Sequence, residues 1–180
     1  ALTDTLIKKV NFYRSQIKDT SLPEMKVNDV FKQAEENYRN VVNQFAFLNY
    51  QTPSVKKSLF SSLGNYFGFT GYYNPFSGEA QVRSDIPTIL LPYITYHEMA
   101  HQLGYASESE ANFVGYLSAT ATNNNYFLYS VYLDLFSYAQ SEEIRKFLED
   151  ADAKGLIAQL KQNRNNLDTL VKNCLLYTSP

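Results

Sequence analysis

Both histidines of the chain lie within five residues of each other, in the segment HEMAH at positions 97–101. Pro92 is typical of a first helical turn and Gly104 of a helix end, so the segment is predicted to lie on one helix. On a helix His97 and His101 share a face, and two imidazoles placed in this way can ligate one zinc ion. This helix is the element on which the other functional expectations depend.

Glu98 is the candidate general base. It lies about 100° around the helix from His97, beside the ion rather than on it. From there it can take a proton from a zinc-bound water, whose pKa the ion lowers to near 7. A purely structural zinc site needs no general base and closes its fourth position with a side chain. Glu98 therefore favours an enzyme over a non-catalytic metal-binding module.

The third zinc ligand is expected to be a carboxylate, because catalytic zinc takes three protein ligands and the chain has no third histidine. Glu108 and Glu110 are the nearest downstream candidates. Ser107 and Glu110 fit a capping box at the start of the next helix, which gives Glu110 a local role. Glu108 lacks such a role and precedes Asn112 by four residues, and the Asn112 side-chain oxygen can accept the free N–H of a ligating histidine. Glu108 is favoured, with Glu110 as the alternative.

Hydrophobic periodicity predicts a chain that is mostly helical. Helices are expected over residues 2–17, 27–48, 53–64, 92–104 and 126–138, from residues 107 and 141, and over 156–171. A glycine-rich stretch from residue 64 to 78 interrupts this pattern, and residues 69–73 and 79–83 are predicted to pair as a β-hairpin. The predicted fold class is α+β, mostly helical, with the small hairpin beside the HExxH helix. The HExxH motif, rather than the periodicity, adds the expectation of a zincin-like metallopeptidase domain.

The hairpin and several tyrosines are candidates for substrate binding. Metallopeptidases commonly bind a peptide as an added strand, and residues 79–83 are expected to offer the required edge. Tyr72, Tyr73 and Tyr116 are candidates to donate a hydrogen bond to the oxyanion of a tetrahedral intermediate.

Composition argues against several other classes of protein. The net charge is −2, from 16 Lys and Arg and 18 Asp and Glu, so no nucleic-acid partner is expected. No apolar run reaches the roughly 18 residues of a membrane helix. A single cysteine excludes an internal disulfide framework. One domain is expected over residues 1–173, whereas residues 174–180, CLLYTSP, resemble translated adapter DNA and are expected to be a non-native tail.

Two longer segments resemble a known family. GYYNPFSGEAQV at 71–82 and HEMAHQLGYASESEANFVGY at 97–116 closely resemble the domain of unknown function 3810 family, and the likeness is dense from about residue 62 to 140. Members are bacterial and look like zinc metallopeptidases that a few N-terminal transmembrane helices anchor in the membrane. The resemblance implies that a membrane anchor precedes this chain, and that the domain faces the periplasm.

A wider similarity to gluzincins bears on the third ligand. Their ligand is the glutamate of an ExxxD pattern, which Glu108 matches, while Asn112 stands in the place of the aspartate. The gap from His101 to Glu108 is shorter than is usual in gluzincins and closer to the metzincin spacing, in which Ser107 would occupy the place of the third histidine.

The sequence and the resemblance together predict a zinc-dependent metallopeptidase. One Zn²⁺ is expected on His97, His101 and Glu108, with Glu98 as general base and a peptide or protein as substrate. The alternative is a non-catalytic sensory or regulatory domain that binds metal on the same scaffold.

Overall fold

The structure is a computed structural model that describes residues 2–18, 25–61, 66, 68–149 and 153–172. The chain order is α1 (Leu2–Gln16), α2 (Val27–Val41), β1 (Val55–Lys57), β2 (Gly71–Asn74), β3 (Glu79–Val82), α3 (Leu91–Leu103), α4 (Glu108–Thr120), α5 (Asn125–Glu149) and α6 (Ala153–Asn166). The described part of the chain is α+β and mostly helical, which confirms the predicted fold class at this level.

The three strands form one sheet in the order β1-β3-β2. Strands β2 and β3 pair antiparallel with Gly71 opposite Val82, which confirms the predicted hairpin. Strand β3 lies in the middle of the sheet, so the expectation that residues 79–83 offer a free edge is wrong. The edge on the hairpin side is β2.

Strand β1 corrects the helix expected over residues 53–64. Residues Val55–Lys57 pair with β3 in parallel, and the Val55 N–H also donates to Glu35 Oε1 at 3.1 Å. Val55 is buried and the other two residues of the strand are exposed. Because the strand has only three residues, the spacing of its apolar positions does not distinguish a strand from a helix. The expected end of that helix near residue 64 lies outside the described residues.

Three helix boundaries also differ from the predicted ones. Helix α2 ends at Val41 rather than near residue 48, and the buried Leu48 lies in a separate 3₁₀ turn (Ala46–Leu48). Helix α5 continues through Ser141, whose hydroxyl donates to the Ser137 carbonyl at 2.9 Å, so no new helix begins there. Most residues from 126 to 138 are buried. Helix α6 spans Ala153–Asn166 rather than 156–171.

Helix α3 lies at the centre of the fold. It packs against α2, α4, α5 and the sheet, and its residues Tyr96, Met99 and Ala100 are fully buried. The Tyr38 hydroxyl of α2 donates to the Tyr96 carbonyl at 2.8 Å. The half-buried residues of α3 include both histidines, so the helix turns one polar face toward a cleft.

None of the helices in the described ranges combines the length and apolar character that crossing a bilayer requires. The anchor and the periplasmic location implied by the resemblance stay predictions. The single domain over residues 1–173 stays a prediction as well, and the tail at 174–180 lies outside the described residues.

Candidate metal centre

The ends of α3 match the sequence prediction. Pro92 lies in its first turn, and Gly104 caps it in the left-handed conformation with φ +114°. The Gly104 N–H donates to the His101 carbonyl at 3.0 Å, and the Tyr105 N–H donates to the Ala100 carbonyl at 3.2 Å. This turn reverses the chain, so that α4 begins at Glu108 beside the histidines.

Three side chains converge at the open face of α3. The Nε2 atoms of His97 and His101 lie 3.1 Å apart. Glu108 Oε2 lies 3.2 Å from His97 Nε2, and Glu108 Oε1 lies 3.4 Å from His101 Nε2. Two nitrogens and a carboxylate at such separations can hold a metal ion. The sequence-predicted ligands are thus brought together in one group.

A close helix crossing brings Glu108 to the histidines. A Cβ atom on Gly115 of α4 would lie 3.3 Å from the Cα and backbone N of His97. Such contacts are tighter than side chains ordinarily make, so glycine lets α4 approach the backbone of α3. The Glu108 carboxylate, at the start of α4, remains 77% exposed and faces the cleft.

Hydrogen bonds orient both imidazoles. His101 Nδ1 lies 2.7 Å from the Tyr105 carbonyl, so an N–H at Nδ1 leaves the Nε2 lone pair free for an ion. The Asn112 side chain lies beside His97 and is its candidate hydrogen-bond acceptor, the role expected from the sequence. Burial, and then the nearby His101, lower the pKa of His97, which favours the neutral form that binds metal. Asn112 Oδ1 in turn lies 3.3 Å from the Tyr93 hydroxyl.

Glu98 lies in the cleft wall beside the two histidines and is 4% exposed. Burial, and then the charge of Glu108, raise its pKa to about 8. A cation bound at the neighbouring ligands would lower that pKa, because it favours the charged carboxylate. Glu98 is packed tightly against β2, since a Cβ atom on Gly71 would lie only 2.6 Å from Glu98 Cγ.

The cleft in front of these residues has a volume of about 660 Å³. One wall is formed by β2 and the residues before it, and the other by α3 and the turn that leads to α4. Of the oxyanion candidates, Tyr72 and Tyr73 both line the cleft, but the Tyr72 hydroxyl already donates to Gln81 Oε1 at 2.6 Å. Tyr116 lies in the wall of a different cavity, so the structure does not bring it to the site.

The capping box predicted for Ser107 and Glu110 is wrong. Ser107 is the N-cap residue of α4, but its hydroxyl makes no capping hydrogen bond and lies 2.9 Å from Ser109 Oγ. Glu110 is exposed and does not belong to the group formed by the other three side chains. Glu108 differs from Glu110 because its carboxylate lies beside the two histidines. A capping role of Glu110 is not the reason for the difference.

Sequence reasoning missed two residues that hold the site in place. The sequence places Gly71 in a glycine-rich stretch and in the first hairpin strand, but gives no sign that it makes room for Glu98. Gln102 connects α3 to the sheet, because its amide group donates to the Gly78 carbonyl and its Oε1 accepts from the Tyr50 hydroxyl. Its position next to His101 in the motif was the only available signal.

These features define an α+β domain with a candidate metal centre made of two histidines and one glutamate. A family model described as protein of unknown function (DUF3810) matches residues 1–174, so the chain belongs to that family. Searches of curated protein sequences and of solved structures found no match.

Proposed function

We propose that the protein is a zinc-dependent metallopeptidase of the HExxH type. The observation that supports this most directly is the spacing of the donor atoms. The two histidine Nε2 atoms lie 3.1 Å apart, and each lies 3.2 or 3.4 Å from one oxygen of the Glu108 carboxylate. Ligands at about 2.0–2.2 Å around a tetrahedral zinc ion are separated by about 3.3 Å. The nitrogen and oxygen donors also suit zinc, and the cleft leaves one side of the group open, as a catalytic site requires.

A zinc ion at His97, His101 and Glu108 would supply Lewis-acid activation of the attacking water and of the scissile carbonyl. Glu98 accepts the proton of that water and then donates it to the leaving amine. Its burial, together with the contact on Gly71, restricts the carboxylate to one position in the cleft. The Tyr105 carbonyl orients the imidazole of His101, and the Asn112 side chain lies beside that of His97.

The substrate is a peptide or protein that binds in extended form along β2. Strand β2 is the edge of the sheet and forms a cleft wall beside Glu98. A peptide added to this edge would present alternate side chains to the cleft, and its backbone would lie in front of the metal ligands. Tyr73 is the cleft tyrosine available to donate to a developing oxyanion.

Zinc content and the Glu98→Gln variant test this function. We expect about one zinc per chain in protein purified without added metal or a histidine tag. Glu98→Gln should retain that zinc and lose at least about 100-fold in cleavage of a fluorogenic peptide library, because only proton transfer is removed. Glu108→Gln should weaken zinc binding. Glu110→Gln is the matched control and should change neither.

The outcomes separate two functions. If the protein took up no zinc on titration at neutral pH, the metallopeptidase proposal would be refuted. One bound zinc with cleavage that Glu98→Gln does not change would refute the role of Glu98. One bound zinc with no cleavage of any library peptide would instead favour the non-catalytic sensory or regulatory domain.

A further inference from the structure

A second cavity, separate from the metal cleft, lies among α1, α3, α4 and α5. Its volume is about 980 Å³, and no residue in the described ranges lines both cavities. Pockets of about 300–1,000 Å³ are typical of small-molecule sites, which combine apolar walls with a few polar groups. The walls here are mainly aliphatic and aromatic, and include Leu6, Tyr93, Tyr116, Tyr132, Leu135 and Ala139.

Asp134 is the carboxylate in this cavity that lacks a partner. Three glutamates also line it, but Glu142 and Glu149 pair with Arg145, and Glu143 accepts hydrogen bonds from two other side chains. In the part of the chain that the structure describes, no residue donates a hydrogen bond to Asp134 or forms an ion pair with it. Burial alone raises the pKa of Asp134 to about 6, so the group is charged at pH 7.5.

The charge of Asp134 is placed among tyrosine rings. Asp134 lines the cavity together with Tyr93, Tyr132 and Tyr138. At the α1 side of the cavity, the Lys9 ammonium already lies 5.8 Å from the centroid of the Tyr132 ring. Tyrosine faces attract cations, and a desolvated carboxylate gains most from a cation that donates hydrogen bonds.

We propose that this cavity binds a small molecule with an apolar body and one primary ammonium group, and that Asp134 receives the ammonium. The apolar walls accommodate the body of the ligand, while the unpaired carboxylate selects its charge. A neutral ligand of the same shape would leave Asp134 desolvated and unpaired, and an anionic group at the same place would put a second negative charge beside Asp134. This binding site does not depend on the peptidase activity or on the metal.

Calorimetric titration of the full chain at pH 7.5 with octylamine, 1-octanol and octanoate tests the proposal. We expect saturable binding of one octylamine per chain, with an affinity about tenfold above that of 1-octanol, and no binding of octanoate. Asp134→Asn keeps the side-chain shape and should lower the octylamine affinity about tenfold without changing that of 1-octanol. Asp29→Asn removes an exposed carboxylate on α2 and serves as the control.

Equal affinity for the amine and the alcohol, preferred binding of octanoate, or no saturable binding of any probe would overturn the proposal. An Asp134→Asn variant that binds octylamine as tightly as the wild type would also overturn it. The comparison of the three probes on the wild-type chain decides the matter even if the variant does not fold, which circular dichroism will show.

Discussion

Replacement of Gly71 by alanine tests whether β2 sets the position of Glu98. The new Cβ atom would lie 2.6 Å from Glu98 Cγ and 2.7 Å from its Cδ and Oε1. Ordinary contacts begin near 3.4 Å, so the overlap is about 0.8 Å. Gly71 is held in the sheet by its pairing with Val82, so the Glu98 side chain rather than the strand is expected to shift. The Glu98 carboxylate is therefore expected to move by about 1 Å.

A misplacement of about 1 Å in a catalytic group can cost on the order of 100-fold in rate, or about 2.7 kcal/mol of activation free energy. We expect Gly71→Ala to lower kcat/KM by about this factor on a fluorogenic peptide that the wild-type protein cleaves. Zinc content should stay at one per chain, because the new methyl group meets no metal ligand among its nearest neighbours.

Gly78→Ala is the matched control for this experiment. Gly78 has φ +67°, and an added Cβ atom there would meet no atom within 4 Å. The variant should lose about 1 kcal/mol of stability from backbone strain and keep its activity. If Gly71→Ala retained one zinc, a native fold and the wild-type kcat/KM, the inference that β2 positions Glu98 would be refuted.

Two further variants test the supports of the site. Gly115→Ala should separate α4 from α3, weaken zinc binding several-fold and lower the melting temperature by about 2–4 °C. An unchanged zinc affinity would show that the crossing of α4 over α3 does not position Glu108. Arg83→Gln removes a buried guanidinium that donates to Asp85 and to the Phe69 carbonyl, and should cost about 2–3 kcal/mol in chemical denaturation. Because Arg83 lowers the pKa of Asp85, their pairing is fully present above about pH 4 and is lost as the pH falls through the lowered pKa. The variant should therefore lose less stability on acidification than the wild type, and an equal loss would contradict this reasoning.

The local signals in the sequence predicted the elements that depend on local chemistry. Helix α3 is bounded by Pro92 and Gly104, whose backbone preferences act within one turn, and both boundaries lie within a residue or two of the prediction. The hairpin follows from the turn residues between β2 and β3 in the same way. Strand β1 was missed because its three residues have no strand pattern of their own and are held by pairing with β3 and by Glu35.

Polar sequence signals proved ambiguous where tertiary contacts decide the outcome. Ser141 was expected to begin a helix, yet it lies inside α5, where the flanking Arg145 pairs with Glu142 and Glu149 at helical spacing. Ser107 does begin α4, but its hydroxyl contacts Ser109 rather than a backbone N–H. In both cases a serine is compatible with several local hydrogen bonds, so sequence alone does not choose among them.

In the candidate metal centre, too, some features follow from local sequence signals and others depend on contacts between distant parts of the chain. The spacing of His97 and His101 is set within one helix and is visible in the sequence. The approach of Glu108 to the histidines depends instead on the helix crossing at Gly115. The packing of Glu98 against strand β2 depends on Gly71. Each approach is possible because a side chain is missing, which no pattern of charged or apolar residues reveals. The two glycines also serve different parts of the proposed chemistry, since one supports a metal ligand and the other the general base. Gly115→Ala should therefore act first on zinc affinity and Gly71→Ala on turnover, a separation that a merely structural role for both residues would not produce.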